Sequence, residues 1–99
     1  MLRVLVLYPK GEGHQFDGDY WISNHMPLVA SKWPKVVKWE ADLAGDDMPF
    51  FAAAHLYFNS PEDLESTMSS PAAADVMGDV PNYCNFEPTI SVHAVAATS

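Results

Sequence analysis

The sequence is poor in cysteine and in positive charge, and it has no long hydrophobic run. Its single cysteine, Cys84, excludes an intrachain disulfide and fits a reducing compartment. Only five Lys and Arg stand against thirteen Asp and Glu, for a net charge of -8. Nucleic-acid binding rests on neutralising phosphates with cations, so this balance argues against it. The same deficit disfavours anionic membrane surfaces and polyphosphate cofactors. The opening stretch Leu2-Arg3-Val4-Leu5-Val6-Leu7-Tyr8 is too short to cross a bilayer and has no signal-peptide form, so the chain reads as cytoplasmic. Gly11-Glu12-Gly13 follows a strand-like run but lacks the third glycine and the helix signature of a phosphate-binding loop. Internal repeats and low-complexity tracts are also missing.

What remains is apolar-rich. Hydrophobic residues make up 48% of the 99 residues and aromatics 12%, in one expected domain over residues 1–99. A chain of this length buries only roughly 65% of its unfolded surface, so self-association would cover what the monomer leaves exposed.

The pattern alternates strands and helices. Residues 2 to 8 are rich in Val and Leu and stop at Pro9. Asp17 is placed to cap a helix, with Asp19 in its first turn, and the helix should run to Trp33-Pro34 with a bend at Pro27. Val36 to Leu43 reads as a second strand and Phe50 to Asn59 as a third. In the third, Phe50, Ala52, Ala54, Leu56 and Phe58 form an apolar core face, while Phe51, Ala53, His55, Tyr57 and Asn59 form a mixed one. Ser60, Pro61 and Asp63 open a helix as N-cap, N1 and N3. A second helical piece spans Ala72 to Met77 and stops at Gly78, Asp79 to Asn85 is a loop, and Phe86 to Ala97 is the last strand.

The order βαββαβ specifies a ferredoxin-like plait of the α+β class, a four-stranded antiparallel sheet with both helices on one face. The opposite face, carrying Phe51, Tyr57 and part of the Leu and Val set, is too apolar to stay bare. Packing it on a second copy gives a homodimer in the form of a dimeric α+β barrel.

The segment Phe16-Asp17-Gly18-Asp19-Tyr20-Trp21-Ile22-Ser23-Asn24-His25-Met26-Pro27-Leu28 carries the chemistry. On a helix, Tyr20 and Asn24 share one stripe, and Trp21, His25 and Leu28 the next. His25 is then either a packed core imidazole bonded to a carbonyl or an acid/base group in a site. Tyr20 and Trp21 either pack or form the aromatic wall of a small-molecule pocket. His55 and Tyr57 either fill a dimer interface or line a cavity. His93 carries the same ambiguity. Asp79, Asn82 and Tyr83 either make turn chemistry or close one end of a pocket, handing a carboxylate and a phenol to His25. No two histidines stand at metal-ligand spacing, so no metal site is expected. Cys84 lacks the cationic surroundings that activate a thiol.

These residues also carry a resemblance. Val6-Leu7-Tyr8-Pro9, His25-Met26-Pro27-Leu28, His55-Leu56-Tyr57-Phe58 and Ala74-Asp75-Val76-Met77-Gly78-Asp79-Val80-Pro81-Asn82-Tyr83 together resemble the EthD family, named from an ethyl tert-butyl ether degradation gene cluster. The resemblance implies a dimeric α+β barrel. Relatives on that barrel include muconolactone isomerases, polyketide cyclases, antibiotic-biosynthesis monooxygenases and haem-degrading enzymes, many of which use no cofactor. The fold alone selects no reaction. The leading expectation is a pocket for a small apolar or aromatic carbonyl metabolite, with cofactor-independent proton transfer. There His25 is the acid/base, Tyr20 and Tyr83 are donors to an enolate-like oxygen, Asp79 is the orienter, and Trp21, His55, Tyr57 and Asn82 contact substrate. The alternatives are a non-catalytic accessory protein serving a partner oxygenase and a cofactor-free monooxygenase.

Overall fold

A computed structural model describes residues 1–99. Its strands are β1 (Leu2–Pro9), β2 (Val36–Leu43), β3 (Phe50–Phe58) and β4 (Thr89–Ala94). Short helices α1 (Gly18–Tyr20) and α2 (Met26–Lys32) flank a π-helical turn at Trp21–His25. Helices α3 (Pro61–Met68) and α4 (Pro71–Gly78) lead into a 3-10 turn at Val80–Asn82. The strands pair antiparallel in the order β2-β3-β1-β4, so the expected ferredoxin-like plait forms. No helix is long and apolar enough to cross a membrane.

Alternation decides which side each residue occupies. Val4 and Tyr8 of β1 and Ala52, Ala54, Leu56 and Phe58 of β3 are buried beneath Met26, Val29 and Trp33 of the first helical arm and Val76 of α4. The registers Arg3↔Tyr57, Leu5↔His55, Arg3↔His93 and Leu5↔Ser91 put these residues together on the helix-free face.

Three sequence expectations are corrected. The first helix is not a continuous α-helix: the Met26 N–H bonds the Trp21 carbonyl, five residues back. Proline at 27 has no N–H and would press its ring on the preceding turn, and the wider π turn relieves that crowding. The last strand spans only Thr89–Ala94, because Pro88 donates no ladder hydrogen bond at its start. Phe51 does not lie on the helix-free face. Tyr8 pairs with Ala52 and Pro9 with Phe50, which makes Phe51 a bulge residue. Its ring stacks on Phe16, 5.6 Å between centroids, and packs beside Phe86. The helix-free face is therefore more polar than the sequence alternation suggests. Leu5, Leu7 and Ala53 lie at its centre, flanked by Glu40, Asp42, His55 and Tyr57.

Candidate functional site

Two distant segments build the site, and backbone ties fix them together. The Asp17 N–H donates to the Tyr83 carbonyl at 2.8 Å, and Phe16 bridges Cys84. The Asn85 side chain accepts from the Gln15 N–H at 2.8 Å and donates to the Gly13 carbonyl at 2.9 Å. Asp17 also caps α1, its carboxylate accepting from the Tyr20 N–H at 3.1 Å. The start of the helical arm is thereby clamped against the loop after α4.

Across this clamp, His25 meets Asp79. His25 is 5% exposed, and its Nδ1 lies 3.0 Å from Asp79 Oδ2. The other carboxylate oxygen accepts from Tyr20 Oη at 2.7 Å and from Asn82 Nδ2 at 2.9 Å. Local geometry delivers Asn82: it stands three residues after Asp79, and its own N–H bonds the Asp79 carbonyl at 3.0 Å in the 3-10 turn.

The electrostatics follow from these partners. Burial alone would raise the Asp79 carboxyl, but hydrogen bonds from Asn82, Tyr20 and His25 outweigh it and hold the group below the ordinary carboxylate value. Burial lowers the His25 pKa, against the opposing pull of Asp79. The result is an ionised carboxylate beside a neutral imidazole. An ionised carboxylate only accepts, so Nδ1 carries the proton and Nε2 keeps its lone pair. Tyr20 is held protonated chiefly by its bond to Asp79, and its proton is committed to that bond.

A second polar pair lies beside the dyad. The Tyr8 and Tyr83 hydroxyls are 2.8 Å apart, both residues are buried, and the Tyr83 ring centroid is 4.6 Å from that of His25. Burial raises both phenols, so they stay neutral donors. The Trp21 ring packs edge-on against Tyr8, 5.5 Å between centroids, and its buried N–H has no hydrogen-bond partner. His25, Tyr8 and Tyr83 all line a cavity of about 70 Å³ between sheet and helices, whose other walls are apolar, among them Val6, Met26, Leu56 and Val80.

Of the residues singled out from the sequence, His25, Tyr20, Asp79, Asn82 and Tyr83 converge. Trp21 is fully buried, edge-on to Tyr8 and Phe16, and outside the cavity wall. His55 and Tyr57 lie on the helix-free face, where His55 Nε2 is 2.8 Å from Asp42 and Tyr57 donates to Glu40 at 3.0 Å. His93 is on the same face, beside Ser91 at 2.8 Å. No three His, Cys, Asp or Glu side chains converge in a way that could hold a metal ion. Sequence reasoning missed Tyr8. The period-two series Val4, Val6, Tyr8 was the available signal, because it puts the phenol on the core face at the strand end nearest the helical arm.

Comparison with known proteins adds a family. Residues 10–87 match the model of the EthD domain. An uncharacterized 11.0 kDa protein of the thcB-thcC intergenic region of Rhodococcus erythropolis is 28% identical over 89 residues, covering 86% of this chain and 85% of that protein. The crystal structure of an EthD-like protein from Ralstonia eutropha JMP134 superposes with a TM-score of 0.83 at 27% identity, covering 99% of this chain and 94% of its own. An EthD family protein from Bacillus halodurans C-125 gives a TM-score of 0.75 at 18% identity, with 95% and 97% covered.

Proposed function

The chain belongs to the EthD family, and from that premise we propose that it carries out cofactor-independent proton transfer on a small enolisable carbonyl compound. The observation that carries this reading is the His25–Asp79 pair, with Nδ1 held at 3.0 Å by a carboxylate and the ring in the wall of an apolar cavity. Nε2 of neutral His25 takes a proton from the carbon next to the carbonyl, and the electron pair moves onto the carbonyl oxygen. Asp79 stabilises the imidazolium so formed. The Tyr83 O–H donates to the developing enolate oxygen. The protein's part is largely electrostatic, a donor already aimed at the charge that develops. In a carbonyl compound whose enolate is conjugated to a carbon–carbon double bond, return of the proton to the far carbon gives an isomer, and no electron acceptor is needed.

Tyr8 belongs to the same reading. Its hydroxyl, 2.8 Å from that of Tyr83, holds the Tyr83 phenol in place beside His25. Tyr20 and Asn82 act on Asp79 and so position the base without touching the ligand.

The functional unit in this reading is a homodimer packed through the helix-free sheet face. Its support is the apolar centre of Leu5, Leu7 and Ala53, which no helix of the same chain covers.

The test is the exchange of α-protons of 2-butanone into deuterium oxide, followed by proton NMR. The protein should accelerate exchange, and His25→Ala should abolish the acceleration while the fold is retained by circular dichroism. Binding of the ketone without any exchange would replace catalysis by an accessory, carrier role.

A further inference from the structure

The cavity that holds His25 does not end at its inner walls. Met77, Val80, Pro88 and Ile90 line it, and the same four residues line a larger open cleft of about 600 Å³ that continues past Cys84 and Phe86. The two spaces therefore adjoin between the end of α4 and the start of β4, bordered by the same side chains.

The two compartments differ in what they hold. The inner one, at about 70 Å³, is much the smaller and is walled almost entirely by apolar side chains. Its polar groups are the imidazole and the two phenols. The outer cleft has no cation among its lining residues, and the apolar side chains of Met77, Val80, Phe86 and Ile90 dominate it. Met77 and Ile90 are 47% and 49% exposed, so each presents a free apolar flank at that border. Exposed large apolar groups rimming a polar-headed cavity mark a ligand groove better than a scatter of surface residues does.

We propose that the outer cleft is a second subsite, and that the substrate is a head-and-tail molecule. Its carbonyl head enters the inner cavity, and its uncharged aliphatic or aromatic body lies in the cleft against Met77 and Ile90. This rests on the proton-transfer reading for the identity of the head, and it adds the chemistry of the rest of the molecule. Met77 and Ile90 are then specificity-determining residues. Glu87 in the cleft lining and the acidic balance of the chain disfavour an anionic tail, and the side chains of Met77, Val80, Phe86 and Ile90 favour a hydrocarbon one.

The test is NMR titration of the intact protein with 2-butanone, 2-hexanone and 2-octanone. Affinity should rise about two- to fourfold per added methylene, as expected for partial to full burial of each group. In Met77→Ser and Ile90→Ser the ratio of octanone to butanone affinity should fall towards unity. A ratio near unity in the unsubstituted protein overturns the proposal. So does a steep ratio that neither substitution alters, and a change of oligomeric state with the ratio untouched would assign this cleft to a second copy of the chain. Failure of the proton-transfer reading is separable, because it would appear as no α-proton exchange by the unsubstituted protein while affinity still rises with chain length.

Discussion

The Nδ1 of His25 lies 3.0 Å from Oδ2 of Asp79, while the opposite oxygen of that carboxylate is saturated by Tyr20 and Asn82. The carboxylate is thus held from three sides and has one direction left in which to act, towards the imidazole. That fixes the tautomer of His25 and with it the lone pair on Nε2.

Asp79→Asn keeps the shape of the side chain and removes its charge. An amide can present an N–H to His25 and so favour the other tautomer. The α-proton exchange rate should fall by roughly 10²- to 10⁴-fold, the usual contribution of a positioned general base. The affinity for a ketone should change much less, and the two readouts separate positioning from binding.

The Tyr8–Tyr83 hydroxyl pair should behave non-additively. Tyr8→Phe leaves a buried hydroxyl without its mate and should cost about 1–3 kcal/mol in urea unfolding, as should Tyr83→Phe. The double substitution should cost less than the two single costs together, because it removes both polar groups. A strictly additive double mutant would show that the two phenols do not interact.

Stability should fall on acidification in two stages. The pKa of His25 is lowered in the folded state, so between that value and 6.5 the unfolded chain binds more protons, and stability declines as pH drops below 6.5. Asp79 is lowered below 3.8, so its contribution is present above 3.8 and is lost as pH falls through its folded value. Urea midpoints between pH 8 and pH 3 read both. Asp79→Asn should remove the lower stage, and His25→Phe the upper.

Assembly is tested on the helix-free face. Leu7→Lys puts a charge at the centre of the proposed interface, opposite Ala53 and Thr89. Sedimentation should show a shift from dimer to monomer. An unchanged dimer would place the interface elsewhere.

Much of the plait was legible in the sequence, because its signals are local. Ser60 accepts from the Asp63 N–H, as a serine ahead of proline should, and β3 alternates as its residue types require. His25 and Asp79 were legible as separate candidates, whereas their meeting depends on the clamp between Asp17 and Tyr83, which no periodicity encodes. Tyr8 was missed because its role is set by a partner at the far end of the chain. His55 and Tyr57 were singled out by alternation, which separates two faces without saying which one holds the cavity. The π turn and the bulge at Phe51 are one-residue departures from regular geometry, and hydrophobic patterns do not resolve them.

The state of His25 is the centre of the account, and ¹⁵N NMR of the imidazole measures it with no ligand present. At pH 7 the account predicts a neutral ring with the proton on Nδ1, a bare Nε2, and a titration midpoint below 6.5. A ring protonated on Nε2, or an imidazolium at pH 7, would contradict it.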